Sequence, residues 1–459
     1  MTRPAPPGTE TLSTPARVVI LGAGGRDFHT FNVLYRDASA ATVVAFTAAQ
    51  IPGLEGRRYP PMLAGPRYPA GIPIEAEANL EALCRRERVT HVVFAYSDVA
   101  HADVMHLASR ALAAGADVIL PGPDRTMLPA RVPVIAISAI RTGCGKSQTA
   151  RWLGRRLREL GLRVAVLRHP MAYGDLERQR AQRFATRADL DAAGSSLEER
   201  EEYEPHLAAG NVVFAGVDYA VIVALAQREA DVIVWDGGNN DFPFVRPDLH
   251  IVMADALRPG QAAAYHPGEA VLRMADVVVV NKVDAASAAD VEGVVDEVRA
   301  VNPRAPVVRA ASPVRLDDPA RVRGRRVLVV EDGPTITHGG MPYGAGFVAA
   351  TRGGAAAVVD PRESAHPDIL AVFARYPHIG CVLPAVGYEA AQLEALRETI
   401  NSSAAEVIVA ATPMDLAALI RIDKPVVRAR YEYADAGEPT LGGFVDRFLA
   451  ERAGRGARP

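Results

Sequence analysis

The sequence predicts an α/β protein built of mostly parallel sheets with helices on both faces. Three observations carry this reading. Short, apolar, β-branched runs recur along the whole chain, and the stretches between them show helical periodicity. The runs lack the alternation of a strand with one wet face, so they suit strands covered on both sides. At 459 residues the chain is also too long for one ordinary core and is expected to divide.

The elements follow in order. Residues 1–15, rich in Pro and Thr, have no apolar centre like that of a signal peptide and read as a disordered leader. Residues 16–130 read as a Rossmann-like domain, with strands at 18–21 and 92–94 and a glycine turn at Gly22-Ala23-Gly24-Gly25. The Pro/Gly-rich stretch 51–73 is expected to pass over the surface, and residues 121–133 mark a boundary. Residues 131–325 hold strands at 134–137, 164–167, 232–235 and 277–280, with a helical pattern over 147–160. Residues 326–448 open with a strand at 327–330 and carry another at 407–410; they form a separate segment or extend the central sheet. The arginine-rich residues 449–459 read as a disordered tail.

Composition narrows the function. There are 51 basic and 54 acidic residues, a formal charge of −3, so no global field attracts nucleic acid. The 6% aromatic content supplies few stacking surfaces for bases. Three cysteines without metal-ligand spacing fit a reducing compartment. No apolar run approaches the roughly 18 residues of a membrane span. The expectation is a cytoplasmic protein with no membrane and no nucleic-acid partner.

The chemistry concentrates between the strand at 134–137 and the following helix, in Arg141-Thr142-Gly143-Cys144-Gly145-Lys146-Ser147, with Gln148 next. Glycines let the backbone curl so that N–H groups point at phosphate oxygens, and the helix N-terminus adds positive potential. Lys146 would neutralise the β- and γ-phosphates and Ser147 would ligate Mg²⁺. The first glycine of the usual eight-residue pattern is replaced by Ile140. Two later strand ends agree with this P-loop. One ends in Trp235-Asp236-Gly237-Gly238, where Asp236 could bind Mg²⁺ or its water. Another runs into Asn281-Lys282-Val283-Asp284, a tetrad whose hydrogen-bonding logic suits guanine. A P-loop NTPase core follows, with nucleotide-binding candidates Thr142 to Gln148, Asn281, Lys282 and Asp284. Arg141 lies five positions before Lys146, where one class of P-loop proteins carries a signature lysine reaching its dimer partner's nucleotide. A homodimer is therefore expected, with Arg141 either a charge-stabilising finger or a solvated residue at the loop edge.

Outside the P-loop, the turn at Gly22–Gly25 begins like a dinucleotide fingerprint, but Asp27 stands where the third glycine belongs. A phosphate cradle formed by Gly24, Gly25, Arg26, Asp27 and His29 is the better reading. Arg168-His169-Pro170-Met171 and Glu331-Asp332-Gly333-Pro334-Thr335, continuing to His338, mark two further strand ends. The acidic run 197–204 reads most simply as a solvated helix face.

Several of these stretches together resemble cyclic 2,3-diphosphoglycerate synthetase. They are the Gly24–His29, Arg141–Ser147 and Arg168–Met171 motifs, Glu198 to Glu204, Trp235-Asp236-Gly237-Gly238-Asn239-Asn240-Asp241, and Val330 to Thr335. The resemblance spans residues 16–445. It implies an ATP-dependent closure of 2,3-diphosphoglycerate to a cyclic phosphoanhydride, releasing ADP and phosphate. Catalysis would fall to Lys146, Arg141 and Asp236. A small anionic, phosphorylated substrate would meet Gly24, Gly25, Arg26, Asp27, His29, Arg168 and His169. Mg²⁺ would be held by Ser147 and Asp236, with ATP as co-substrate, GTP as the alternative, and a monovalent cation as a further candidate. The competing functions are a GTPase switch or metal-delivery protein, and a kinase or ligase acting on another phosphorylated acid.

Overall fold

Val, Ile and Ala dominate the strands because both faces are covered. Val277–Asn281 and Leu249–Asp255 are buried at every position, as parallel strands between helix layers require. The computed structural model describes residues 15–49, 54, 56–169, 174–238, 241–337, 339–385, 390–413 and 415–456. It has the α/β architecture that the apolar runs predict, arranged around three main sheets.

The first sheet orders its strands as Arg58–Tyr59, Ile72–Ala76, Ala41–Ala48, Ala16–Leu21, His91–Phe94 and Asp117–Ile119. All pairs are parallel except the first. The stretch expected to skirt the surface instead supplies the two outermost strands on one edge. Tyr59, Leu63 and Tyr68 lie in that sheet's core with Phe28, Phe31 and Phe46. Aromatic packing outweighs the Pro/Gly content there.

The central sheet has nine strands, in the order Gln182–Phe184, Val212–Ala215, Val164–Arg168, Val232–Asp236, Val134–Ala139, Leu249–Asp255, Val277–Asn281, Val307–Ala311 and Ala434–Asp435. Only the two edge strands run antiparallel. The third sheet is built on Arg326–Asp332, with Val407–Ala411, Val426–Tyr431 and Val314–Leu316 on one side. It has its own apolar core. The question left open for the last segment thus has a divided answer. That segment forms a separate sheet, which Val314–Leu316 joins from before residue 326. The chain then returns to the central sheet through Ala434–Asp435 and the helix Leu441–Gly456. Leu441 and Val445 are buried in the central core, and Phe448 and Leu449 pack against it. The expected tail is therefore helical to Gly456; residues 457–459, like the leader 1–14, lie outside the described residues.

A two-stranded ladder joins the first and central units, pairing Val99–Ala100 with Tyr265–His266. Among the described residues no helix is long and apolar enough to cross a membrane.

Candidate active site

The buried strand Val134–Ala139 delivers the chain to the P-loop, and the helix Lys146–Glu159 leaves it. Gly143 and Gly145 adopt φ of 86° and 100°, the left-handed region that a side chain resists. The loop is braced from below. Asn281 Nδ2 donates to the Cys144 carbonyl at 2.9 Å, and Arg258 Nη1 donates to the Thr142 carbonyl at 2.8 Å. A Cβ on Gly145 would lie 2.2 Å from Asn281 Nδ2. Gly145→Ala should therefore weaken ADP binding about tenfold or more, given the ~1–2 kcal/mol of left-handed strain. Isothermal titration on the folded variant checks this. Cys144 is buried, and burial pushes its thiol up to about 11, so it is a packing residue of the loop rather than a nucleophile.

Above the loop, Asp236 is a fully buried hub. Lys146 Nζ lies 2.6 Å from its Oδ1 and also donates to the Gly237 carbonyl. Arg168 Nη1 is 2.7 Å and His206 Nε2 2.9 Å from Oδ2. Burial alone would raise this carboxyl's pKa, but Arg168 and Lys146, with His206, hold it well below the usual range. Burial likewise keeps His206 neutral, its pKa lowered to about 4.

His206 belongs to the helix Leu197–Ala208, whose acidic run was expected to face solvent. Instead, Glu202 pairs with Arg168, Tyr203 Oη donates to the His169 carbonyl at 2.7 Å, and Glu201 is buried. Positions 199, 202, 203 and 206 share one face at helical spacing. That spacing was the available signal, masked by the polarity of the residues carrying it.

A cavity of about 300 Å³ extends from the P-loop to the Gly22–Gly25 turn, lined by Lys146, Ser147, Arg168, Glu202, Asp241 and Arg26 among others. The turn is not the phosphate cradle expected of it. Asp27 Oδ1 already accepts from the N–H groups of Gly24 at 2.8 Å, Gly25 at 3.0 Å and Phe28 at 2.6 Å. Those amides have no donor left for an anion, and a phosphate would meet a carboxylate. His29 also falls outside the site. It is 1% exposed, stacked on Phe244 at 4.1 Å, with Nε2 2.8 Å from the Thr126 carbonyl. His169 does reach the cavity wall, packed under Gly25 and Gly238 with Nε2 3.2 Å from Asp241 Oδ2. Pro170 to Tyr173, Asn239, Asn240 and His338 lie outside the described residues.

Arg141 is held within its own chain. Its Nε lies 2.7 Å from Asp98 Oδ1, its Nη1 donates to Gln261 Oε1 at 2.6 Å, and its guanidinium covers the Tyr265 ring at 3.5 Å. Asp98 Oδ2 in turn accepts from the Thr142 N–H at 3.2 Å. Arg141 is thus a strut between the first unit and the P-loop, and it also lines the large cavity. Arg141→Ala should lower stability by about 3–5 kcal/mol, because it strands buried Asp98. Urea unfolding monitored by circular dichroism checks the value.

A second cavity, of about 100 Å³, lies beside the loop between the central and third units. Its walls include Gln148, Lys282, Asp284, Ser312, Leu257 and Tyr343, which give it apolar and polar sides. Asn281 does not face it, being spent on the P-loop carbonyl. Asp284 gives one oxygen to the Ser312 N–H at 2.9 Å, and Lys282 Nζ sits 2.6 Å from Asp255. Glu331 is a neighbouring cap, accepting from the N–H groups of Gly344, Gly346 and Phe347; burial, set against those bonds, pushes its pKa up to about 7. Among the described residues no group of three or more His, Cys, Asp or Glu could hold a metal.

A glycine loop opening a helix, with its lysine on the carboxylate that ends a neighbouring strand, defines a P-loop nucleoside-triphosphate-binding protein of the α/β class. Within that class, the chain belongs to the family of arginine synthetase ArcE. The Thermococcus kodakarensis protein of that name is 54% identical over 432 residues, covering 94% of this chain and 96% of that one. No protein-family model matches. Among solved structures, LpxK from Aquifex aeolicus in complex with ATP gives a TM-score of 0.41 at 14% identity, covering 70% of this chain and 90% of that one. The hydrogenase maturation factor HypB from Archaeoglobus fulgidus gives 0.26 at 14% identity, covering 39% and 81%. Kinship with an arginine synthetase overturns the expected closure of 2,3-diphosphoglycerate, which rested on motifs that fix the P-loop and its surroundings but not the second substrate.

Proposed function

We propose that this protein is an ATP-dependent ligase that makes arginine by joining ammonia to the ureido carbon of an amino acid with a terminal ureido group. The observation that carries the reading is the 54% identity with the arginine synthetase over nearly the whole chain. The cavity supports it, since one space borders both the P-loop and the turn that carries Arg26 and Asp27.

The chemistry follows from the parts. A ureido carbon resists ammonia because its oxygen leaves poorly. A P-loop presents the γ-phosphoryl group to an acceptor, so the ureido oxygen attacks Pγ and the bond to the bridging oxygen breaks, releasing ADP. Ammonia then adds to the carbon of the phosphoisourea, and phosphate leaves with the former ureido oxygen. Lys146 exchanges Asp236 for the β- and γ-phosphates. Arg168 lies beside the same carboxylate and is placed to balance charge on the transferred group. Glu202, paired with Arg168 on the cavity wall, takes a proton from ammonium. The Ser147 hydroxyl, and Asp236 once Lys146 has left it, fit a Mg²⁺ ion carried in with ATP, which supplies charge neutralisation at the phosphates. ATP is favoured over GTP because Asn281, which the guanine tetrad needs at the base, is spent on the Cys144 carbonyl.

Incubation with ATP, Mg²⁺, ammonium and the ureido amino acid should yield arginine, ADP and phosphate in equal amounts by chromatography. ATP hydrolysis at the same rate without the amino acid would sink the reading.

A further inference from the structure

The part of the large cavity bordered by the Gly22–Gly25 turn carries charges of both signs. Arg26 is 8% exposed. Its Nε donates to the Ala95 carbonyl at 3.2 Å, and its Nη2 donates to the Tyr96 carbonyl and lies 3.3 Å from His266 Nε2. Its Nη1 is buried and has no partner among the described residues. A guanidinium N–H left unmade in a buried place is costly unless a ligand completes it. Asp241 faces Arg26 at 3.9 Å, too far for a hydrogen bond; it accepts from Ser97, and His169 Nε2 lies 3.2 Å from its other oxygen. Both residues line the cavity, as does Asp27.

Counting Arg26 against Asp27 and Asp241 gives no excess of positive charge, which disfavours a polyanion. A zwitterion suits it, because each end of the ligand meets its opposite. We propose that this part of the cavity is an α-amino-acid subsite, in which Arg26 Nη1 donates to the substrate's α-carboxylate and Asp241 accepts from its α-ammonium group. The side chain then runs toward Lys146 and Arg168, so its terminal carbon meets the nucleotide. This assignment rests on the amino-acid ligase reading and deepens it. Asp241 has the character the role requires. Burial pushes its carboxyl up to about 6, opposed by Arg26 and Ser97, and an ammonium group would restore the charged form.

The test is calorimetric titration of the full-length protein, with ADP present, using arginine, agmatine (no carboxylate) and 5-guanidinopentanoate (no α-amine). The native protein should prefer arginine to each analogue by on the order of 10²-fold. Arg26→Ala and Arg26→Lys should weaken arginine to the level of agmatine while leaving agmatine and ADP unchanged. Asp241→Asn should do the same relative to 5-guanidinopentanoate. Equal binding of arginine and agmatine by the native protein overturns the subsite, as does a preference that survives in both Arg26 variants. Either result leaves the ligase reading standing. Binding of ADP but of none of the three guanidines overturns the reading and the subsite together.

Discussion

Replacing Lys146 with Met is expected to leave a folded protein whose nucleotide turnover falls by on the order of 10²- to 10³-fold, the usual loss when one preorganised charge-stabilising donor is removed. The Met side chain keeps the length of the Lys stem, so the helix start at Lys146–Glu159 is preserved. The change removes the ammonium that now rests on Asp236 and the Gly237 carbonyl. Burial lowers the lysine's pKa, opposed chiefly by Asp236 and also by Asp241, so the charge is held in place by these carboxylates. Its natural destination is the phosphates, whose negative charge replaces Asp236. Initial rates at saturating ATP measure the loss, and a decrease of less than tenfold would mean that the phosphoryl group is transferred elsewhere.

The second large effect is expected from Asp236→Asn, on stability as well as turnover. The carboxylate is fully buried and faces Lys146, Arg168 and His206 at 2.6, 2.7 and 2.9 Å. An amide leaves two buried cations short of a counter-charge, a loss of about 3–5 kcal/mol by analogy with other broken buried pairs. The pH dependence has a definite sign. The folded pKa lies well below the ordinary value of about 3.9, so the stabilisation is present in full above that pH and is lost as pH falls through the folded value. Urea unfolding should therefore separate parent and variant widely at neutral pH and bring them together in strong acid. Because phosphates supply the missing charge, ADP without Mg²⁺ should stabilise the variant more than the parent.

The fold was legible because its signal is local. Each apolar run, such as residues 277–280, is a strand between covered faces, and the turn at Gly143 to Ser147 states its geometry in its glycines. Lys146 and Asp236 come together because each ends or follows a neighbouring strand of one sheet. Other features depend on side chains that local pattern does not locate. Asp27 turns back on its own glycines and satisfies the amides that otherwise look ready for phosphate. Asp98 and Arg141 meet across 43 positions of chain, and the inward helix at Leu197–Ala208 hides its role behind a polar sequence. The second substrate is a matter of which charges line one cavity, and those charges come from separate parts of the chain.

The central claim is that the P-loop activates a ureido oxygen by phosphorylation. It is tested most directly by carrying out the synthesis with ¹⁸O in the ureido group and reading the phosphate by phosphorus NMR. The mechanism predicts one labelled oxygen in each inorganic phosphate released, with ADP as the other product. Arginine formed alongside unlabelled phosphate, or label appearing in AMP with release of pyrophosphate, would contradict it.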